Sequence, residues 1–309
     1  MSKPLRTPWS WLSRFSPPPL VDAQTIERIH QAANSDTAPA LLARREVQHM
    51  LLGERQSAFV GRGYEYAENR PYQAGDEARF INWRVLARTG LLYQKTFYEE
   101  RRPPVWLILD RGASMRFGTR VRLKLTLAAQ LALYHLFLAQ RRALAIGAVL
   151  YDSEADWFAP AHDSSSHQAL VRCLTEPSPP LAEFSAASIL PAVLRQCLVQ
   201  LDPGCIIILY SDFQNLQAHD LPLLHALAQR HSLYARHIVD VSELHLPQQG
   251  DLSFAQADEV THIDCSDSGL TRQFEDKMRQ RHREVADWFS QAGIDYQRYR
   301  ADETLFVDS

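Results

Sequence analysis

The chain has 309 residues, 46% of them hydrophobic, with 33 basic and 36 acidic side chains and a net charge of -3. That length suffices for one large domain or two modest ones, and the absence of a basic bias argues against nucleic acid as a partner. Cys173, Cys197, Cys205 and Cys265 show no CxxC pairing and fit reduced core thiols rather than a disulfide framework or a zinc site; no apolar run approaches the ~20 residues that cross a bilayer.

Residues 1–20 read as a flexible tail. Pro and Ser interrupt the segment, and it lacks the apolar core of a signal peptide. Its basic and aromatic residues leave room for a peripheral membrane contact. A cytoplasmic location is the expectation. Residues 21–102 are expected to form a helical segment followed by a small β-rich arm. Val21 to Asn34 carries Ile26, Ile29, Ala32 and Ala33 at helical spacing, with Asp22 placed to cap. Pro39 suits the first turn of a second helix over Ala40 to Leu52, and Gly53 offers a stop.

Ser57 to Arg102 differs in kind. Tyr64, Tyr66, Tyr72, Phe80, Trp83, Tyr93, Phe97 and Tyr98 interleave with Arg62, Arg70, Arg79, Arg84 and Arg88. Gly90 to Glu99 alternates as a strand does. Such a segment could stack nucleobases. The acids among its basic residues, Glu65, Glu68, Asp76, Glu77, Glu99 and Glu100, would repel phosphates. An aromatic mini-core rimmed by Arg–carboxylate pairs is therefore preferred.

From residue 103 onward strands alternate with helices. Val105 to Leu109 is a short continuous apolar run ending in Asp110, the pattern of a strand buried on both faces. Thr119 to Ala139 is a helix, apolar on nearly every side, that other elements must cover. Strands are expected at Ala143 to Tyr151, Cys205 to Tyr210, Ser232 to Val239 and Asp295 to Arg300, with a short antiparallel strand around Trp157 and Phe158. Helices are expected at Ser164 to Leu174, Ser188 to Leu201, Leu221 to Gln229 and Gln273 to Gln291. The fold class is α/β: a doubly wound, mostly parallel sheet with helices on both faces over residues 103–309.

Two strands end in acids, Leu109-Asp110 and Tyr210-Ser211-Asp212. Open α/β sheets place ligands at such carboxyl ends. If the strands are neighbours, Asp110, Ser114 and Asp212 meet at one edge, and the loop from Phe184 to Ser188 could add Ser185 or Ser188. Carboxylates with hydroxyls are hard oxygen ligands suited to Mg²⁺ or Ca²⁺. The simpler role for the same residues is capping of their own loops.

An apolar strand followed by Asp-x-Ser-x-Ser resembles the metal-ion-dependent adhesion site of von Willebrand factor A domains. Here the run is Asp110-Arg111-Gly112-Ala113-Ser114, with Gly112 in place of the first serine. The resemblance puts Ser188 at that family's loop threonine and Asp212 at its final acid. Upstream, Arg70-Pro71-Tyr72, Gly75-Asp76, Arg79, Ile81, Trp83, Ala87-Arg88-Thr89 and Lys95 resemble the hallmark of the bacterial family called domain of unknown function fifty-eight. Asn82 stands where that family commonly has aspartate. The resemblance covers Phe59 to Asp240. It implies a von Willebrand factor A-like half and a MoxR-type AAA+ ATPase as partner. It also implies a degenerate site of Asp110, Ser114, Ser188 and Asp212 for Mg²⁺, weakened by the hydroxyl that Gly112 lacks.

The expected function is a non-enzymatic interaction or adaptor module, binding partner carboxylates at the rim of the sheet. Arg111, Arg116, Arg79, Trp83 and Arg88 are the candidate partner contacts. No catalytic residue is assigned. The alternative is a Mg²⁺-dependent phosphohydrolase using Asp110, but that chemistry wants a second carboxylate where Gly112 stands, and no GxxxxGK[ST] loop is present. His162 and His167 lack a placed partner in the sequence and read as solvated.

Overall fold

A computed structural model describes residues 19–35, 60–73, 77–98, 102–119, 121–177, 189–246, 251–256, 259–265 and 267–305. The expected tail, the helix over Ala40 to Leu52 and the loop from Phe184 to Ser188 lie outside these, apart from residues 19 and 20. The chain divides into two compact units. One is Arg45–Pro103; the other joins the N-terminal segment to everything from Pro104 onward.

In the larger unit, the first helix, α1 (Ala23–Asn34), starts at Asp22, whose carboxylate accepts the Thr25 N–H at 2.8 Å. In the Arg45–Pro103 unit, β1 (Val60–Pro71) pairs antiparallel with β2 (Tyr93–Tyr98), and between them lies the short helix α2 (Trp83–Thr89). Asn82 caps α2 by accepting the Val85 N–H, and Gly90 ends it with φ 72°. Asn82 also donates to the Asn69 side chain at 2.8 Å, tying the helix to β1. An aspartate at this position could accept the cap bond but could not donate to Asn69.

The rest of the larger unit is β3 (Val105–Asp110), α3 (Lys124–Arg141), β4 (Ile146–Tyr151), β5 (Ala155–Ala161), α4 (Ser164–Thr175), α5 (Leu190–Gln200), β6 (Ile206–Ser211), α6 (Leu221–Arg230), β7 (Ser232–Val239), β8 (Asp251–Gln256), β9 (Glu259–Asp264), α7 (Ser268–Gln291) and β10 (Asp295–Arg300). Its six-stranded sheet runs β10-β7-β6-β3-β4-β5. Every pairing is parallel except β4 with β5. Every residue of β3, β4 and β6 is buried, as their unbroken apolar runs require. Trp106, Ile108, Ile207 and Leu209 pack on one face with Leu194 of α5, Leu224 of α6 and Phe289 of α7. Helix α3 crosses β3, β4, β6 and β7, and Tyr210 reaches its His135 at 2.7 Å. Helix α1 packs on α3, and Arg141 of α3 bonds the Ala33 carbonyl. It thus belongs with the α/β unit and not with the arm, contrary to the grouping of residues 21–102.

Two further elements differ from the sequence reading. Helix α3 starts at Lys124, not Thr119, because Thr119 is clamped by Asp240 and Arg122 is drawn to the Ala301 carbonyl at 3.0 Å. The two-stranded antiparallel sheet β8–β9 was left unassigned, although Leu252 and Phe254 alternate with polar residues. Among the described residues no helix is long and apolar enough to cross a membrane.

Candidate functional site

The central strand β3 has β4 on one side and β6 on the other, so the chain reverses its direction of winding between β3 and β6. This is the switch point where the carboxyl ends of neighbouring strands open a crevice. Asp110 ends β3, and Ser211-Asp212 closes β6 beside it. Asp240 follows β7 at the same rim.

Asp110 is buried. Its Oδ1 accepts the Gly112 N–H at 2.8 Å and its Oδ2 accepts the Ser211 hydroxyl at 2.6 Å. Ser211 Oγ in turn accepts the Phe213 N–H at 3.0 Å. Burial, with the charge of Asp212 adding to it, pushes the Asp110 carboxyl up to about 6. Tyr151 is buried with its hydroxyl facing Asp110 and Ser211, but it reaches neither in good hydrogen-bond geometry. Phe213 has φ 51°, a left-handed conformation uncommon for a large residue. It turns the chain sharply just after Asp212, and its ring packs on Phe289 and His237.

Asp212 is 3% exposed and has a partner that the sequence reading missed. Its Oδ2 accepts the Lys124 ammonium at 2.8 Å and its Oδ1 accepts the Gln214 N–H at 3.2 Å, with Ser114 close by. Lys124, at the first position of α3, is 1% exposed and makes a second bond of 2.5 Å to Glu243 Oε1. Burial acts against the ammonium, yet the two carboxylates outweigh it and hold Lys124 above the usual lysine range. Burial likewise opposes the Asp212 charge, and Lys124 more than offsets it, so Asp212 lies below the usual carboxylate range. Glu243, for which burial prevails, is shifted up.

Glu243 is itself held in place. Its Oε2 accepts the Asp240 N–H at 2.9 Å and its Oε1 accepts the Gln214 side-chain amide at 2.9 Å. Asp240 accepts the Thr119 N–H at 3.0 Å and the Thr119 hydroxyl at 2.5 Å, along with the Ser242 hydroxyl at 2.8 Å. One network therefore ties the ends of β3, β6 and β7 to the start of α3. Lys124, Asp240 and Glu243 were absent from the sequence reading. The available signal was a lysine at the start of an otherwise apolar helix, since lysine is seldom buried without a partner.

Asp110, Ser114 and Asp212 do come together; Ser188 lies outside the described residues. The donor set does not fit the expected Mg²⁺. Both oxygens of Asp110 and of Asp212 are engaged, an ammonium stands between Asp212 and Glu243, and Gly112 offers no side-chain ligand. Among the described residues no three His, Cys, Asp or Glu side chains are placed to share a metal.

The arginines beside the site are a correction to the sequence reading. Arg111 donates to the Cys173 carbonyl at 3.0 Å. Arg116 donates to the Arg111 carbonyl at 2.9 Å and pairs with Asp152 at 3.4 Å. Both brace the loop from within and do not offer free charge to a partner. His167, read as solvated, is instead buried and bonds the Ala161 carbonyl at 3.1 Å, while His162 is exposed as expected.

The remaining candidates lie on the Arg45–Pro103 unit. Trp83 is 62% exposed, and Arg84 and Arg88 are exposed on the same short helix. Arg79 pairs with Glu77 at 2.6 Å and lies over the Phe80 ring at 4.7 Å. Leu91 and Leu92, 59% and 44% exposed, follow the Gly90 turn. The Asn82 N–H bonds the Tyr93 carbonyl at 2.8 Å, which joins the start of this helix to β2.

Comparison with known proteins gives a consistent but functionally silent answer. The sequence profile described as "Protein of unknown function DUF58" matches residues 68–285. Uncharacterized proteins of Mycobacterium bovis and Mycobacterium tuberculosis are each 29% identical over 236 residues, covering 76% of this chain and 70% of theirs. Among solved structures, the conserved hypothetical protein BatB from Bacteroides thetaiotaomicron aligns over 64% of this chain and 90% of its own, with 13% identity and a TM-score of 0.38. An aerotolerance-related membrane protein from Bacteroides fragilis aligns over 64% and 91%, with 12% identity and a TM-score of 0.37. TM-scores of this size leave the fold assignment to the sheet order itself.

Proposed function

The chain belongs to the DUF58 family of unknown function, and from that premise we propose that it is a non-enzymatic protein-interaction module, an adaptor that docks through its Arg45–Pro103 unit. The observation that carries this reading is the exposure of Trp83, Leu91 and Leu92 on and just after α2, a helix that also exposes Arg84 and Arg88. A tryptophan and two leucines exposed together beside two arginines have the composition of an interface core with a charged rim.

Charge selects the occupant. Residues 45–103 carry ten basic side chains against eight acidic ones, and the charges exposed on α2 are Arg84 and Arg88, inside a chain of net charge -3. The partner is a protein presenting an apolar side chain flanked by carboxylates. A MoxR-type AAA+ ATPase is the candidate that the sequence resemblance supplies.

The larger unit is read as von Willebrand factor A-like, with β3 at its centre, Asp110-x-Gly112-x-Ser114 after it and Asp212 after β6. Its rim does not capture partner carboxylates, because Asp110, Asp212 and Lys124 are buried and already satisfied. The phosphohydrolase alternative has less support, since Asp110 is buried and each of its oxygens accepts a hydrogen bond inside the fold.

Binding of a purified MoxR-type ATPase from the same genome, measured by calorimetry against wild type, Trp83→Ala and Arg88→Glu, tests the proposal. Loss of binding in both variants is expected. Equal binding by all three would remove the docking face, and Mg²⁺-dependent phosphatase turnover abolished in Asp110→Asn would replace the adaptor reading.

A further inference from the structure

We infer that the Lys124 ammonium takes the place of a divalent cation at the rim of the sheet, so that the chain folds and docks without a metal ion. The two are mutually exclusive. A divalent ion here would need the oxygens of Asp212 at about 2.0–2.6 Å, and Asp212 Oδ2 already holds Lys124 Nζ at 2.8 Å. The same nitrogen holds Glu243 at 2.5 Å, so an ion at Asp212 would meet a fixed positive charge.

The placement of Lys124 is costly unless the charge is needed. It is buried, which disfavours any ammonium. It also occupies the first turn of α3, where the helix dipole favours acids over bases. Two carboxylates offset both effects. Asp212 is anchored by Gln214, and Glu243 by Asp240 and Gln214. One cation thus links the end of β6, the turn after β7 and the start of α3, which is the task a coordinated ion performs. Gly112, which removes a hydroxyl from the loop, is consistent with a site that no longer coordinates metal.

The test uses the full chain. Thermal unfolding of wild type is measured in EDTA and in millimolar Mg²⁺, Mn²⁺ or Ca²⁺, with Mn²⁺ binding followed by electron paramagnetic resonance. The expected result is the same midpoint in all conditions and no bound Mn²⁺. A saturable rise in midpoint with any of these ions, abolished by Asp212→Asn, overturns the inference. Lys124→Ala should lose stability in EDTA and recover part of it in Mg²⁺ or on addition of Asp212→Asn. Lys124→Ala as stable as wild type in EDTA also overturns it. If Lys124→Ala does not fold, the triple variant Lys124→Met, Asp212→Asn, Glu243→Gln, which removes all three charges, is expected to fold; failure there alongside a metal-responsive wild type counts against the inference. Failure of the Trp83 docking face would leave this result untouched, because the two rest on different residues.

Discussion

Lys124 Nζ lies 2.8 Å from Asp212 Oδ2, joining residues 88 apart in sequence, with both side chains almost wholly out of solvent. Removing one member of a buried pair leaves the other charge uncompensated, at a cost of about 3–5 kcal/mol. Lys124→Met should fall in that range by urea denaturation. Lys124→Met with Asp212→Asn should be markedly more stable than Lys124→Met alone. A double variant no better than the single one would mean that the lysine acts through packing and not through its charge.

Gly118 makes a second test of the same region. A Cβ on it would lie 2.3 Å from the Arg122 carbonyl oxygen and 2.8 Å from the Leu123 Cα, both backbone atoms that cannot turn away. This close approach sets the path from Phe117 to Lys124, where the Lys124 N–H bonds the Phe117 carbonyl at 2.9 Å. Gly118→Ala should cost about 1–3 kcal/mol. Hydrogen exchange should show faster exchange of the Thr119 and Lys124 amides. Unchanged protection at both would contradict the packing described here.

His231 gives a pH signature. It is buried, and neither ring nitrogen has a partner among the described protein atoms. Burial, with Arg230 adding to it, pushes its imidazole down to about 4 from an ordinary 6.5. Above pH 6.5 both folded and unfolded forms are neutral and the group contributes nothing. Between pH 6.5 and 4 the unfolded chain takes up the proton and the fold does not, so this contribution turns unfavourable as pH falls. His231→Phe should therefore be close to wild type at pH 7.5 and gain on it by on the order of 2 kcal/mol at pH 4.5. Parallel stability curves for the two proteins across that range would refute the assignment. Asp110, whose carboxyl is pushed up, has the opposite slope, but it is common to both proteins and cancels in the difference.

The docking face predicts a separation of affinity from stability. Trp83, Arg84 and Arg88 are exposed, and surface substitutions there should change stability by no more than about 0.5 kcal/mol. Trp83→Ala should nonetheless weaken partner binding by about 2 kcal/mol or more, the scale of an interface hot spot. Arg84→Glu with Arg88→Glu should weaken it further and flatten its salt dependence. A fall in melting temperature matching the loss of binding would make Trp83 a structural residue instead.

Sequence alone determined the sheet. Val105 to Leu109 and Cys205 to Tyr210 are apolar runs too short for helices and too continuous for half-exposed strands. Burial on both faces is their only stable environment. It placed Asp110 and Asp212 at one rim only on the condition that their strands are neighbours, which the parallel pairing of β3 with β6 meets. The helix cap at Asp22 was local too, the acid sitting just before its helix and accepting a backbone N–H within it. Only the tertiary structure decided what those two acids do. Lys124 is 14 residues beyond Asp110 in a segment read as uniformly apolar, and Glu243 lies in a turn after β7; neither spacing signals the other. Their meeting depends on the strand order, which sets the end of β7 beside the end of β6 and lays α3 across both. The arginines show the same limit: Arg111 and Arg116 look available in the sequence, but the Cys173 carbonyl and Asp152 that engage them belong to elements brought near only by folding. A chain pattern records which side chains must leave water; which charge meets which, once inside, is settled by long-range packing.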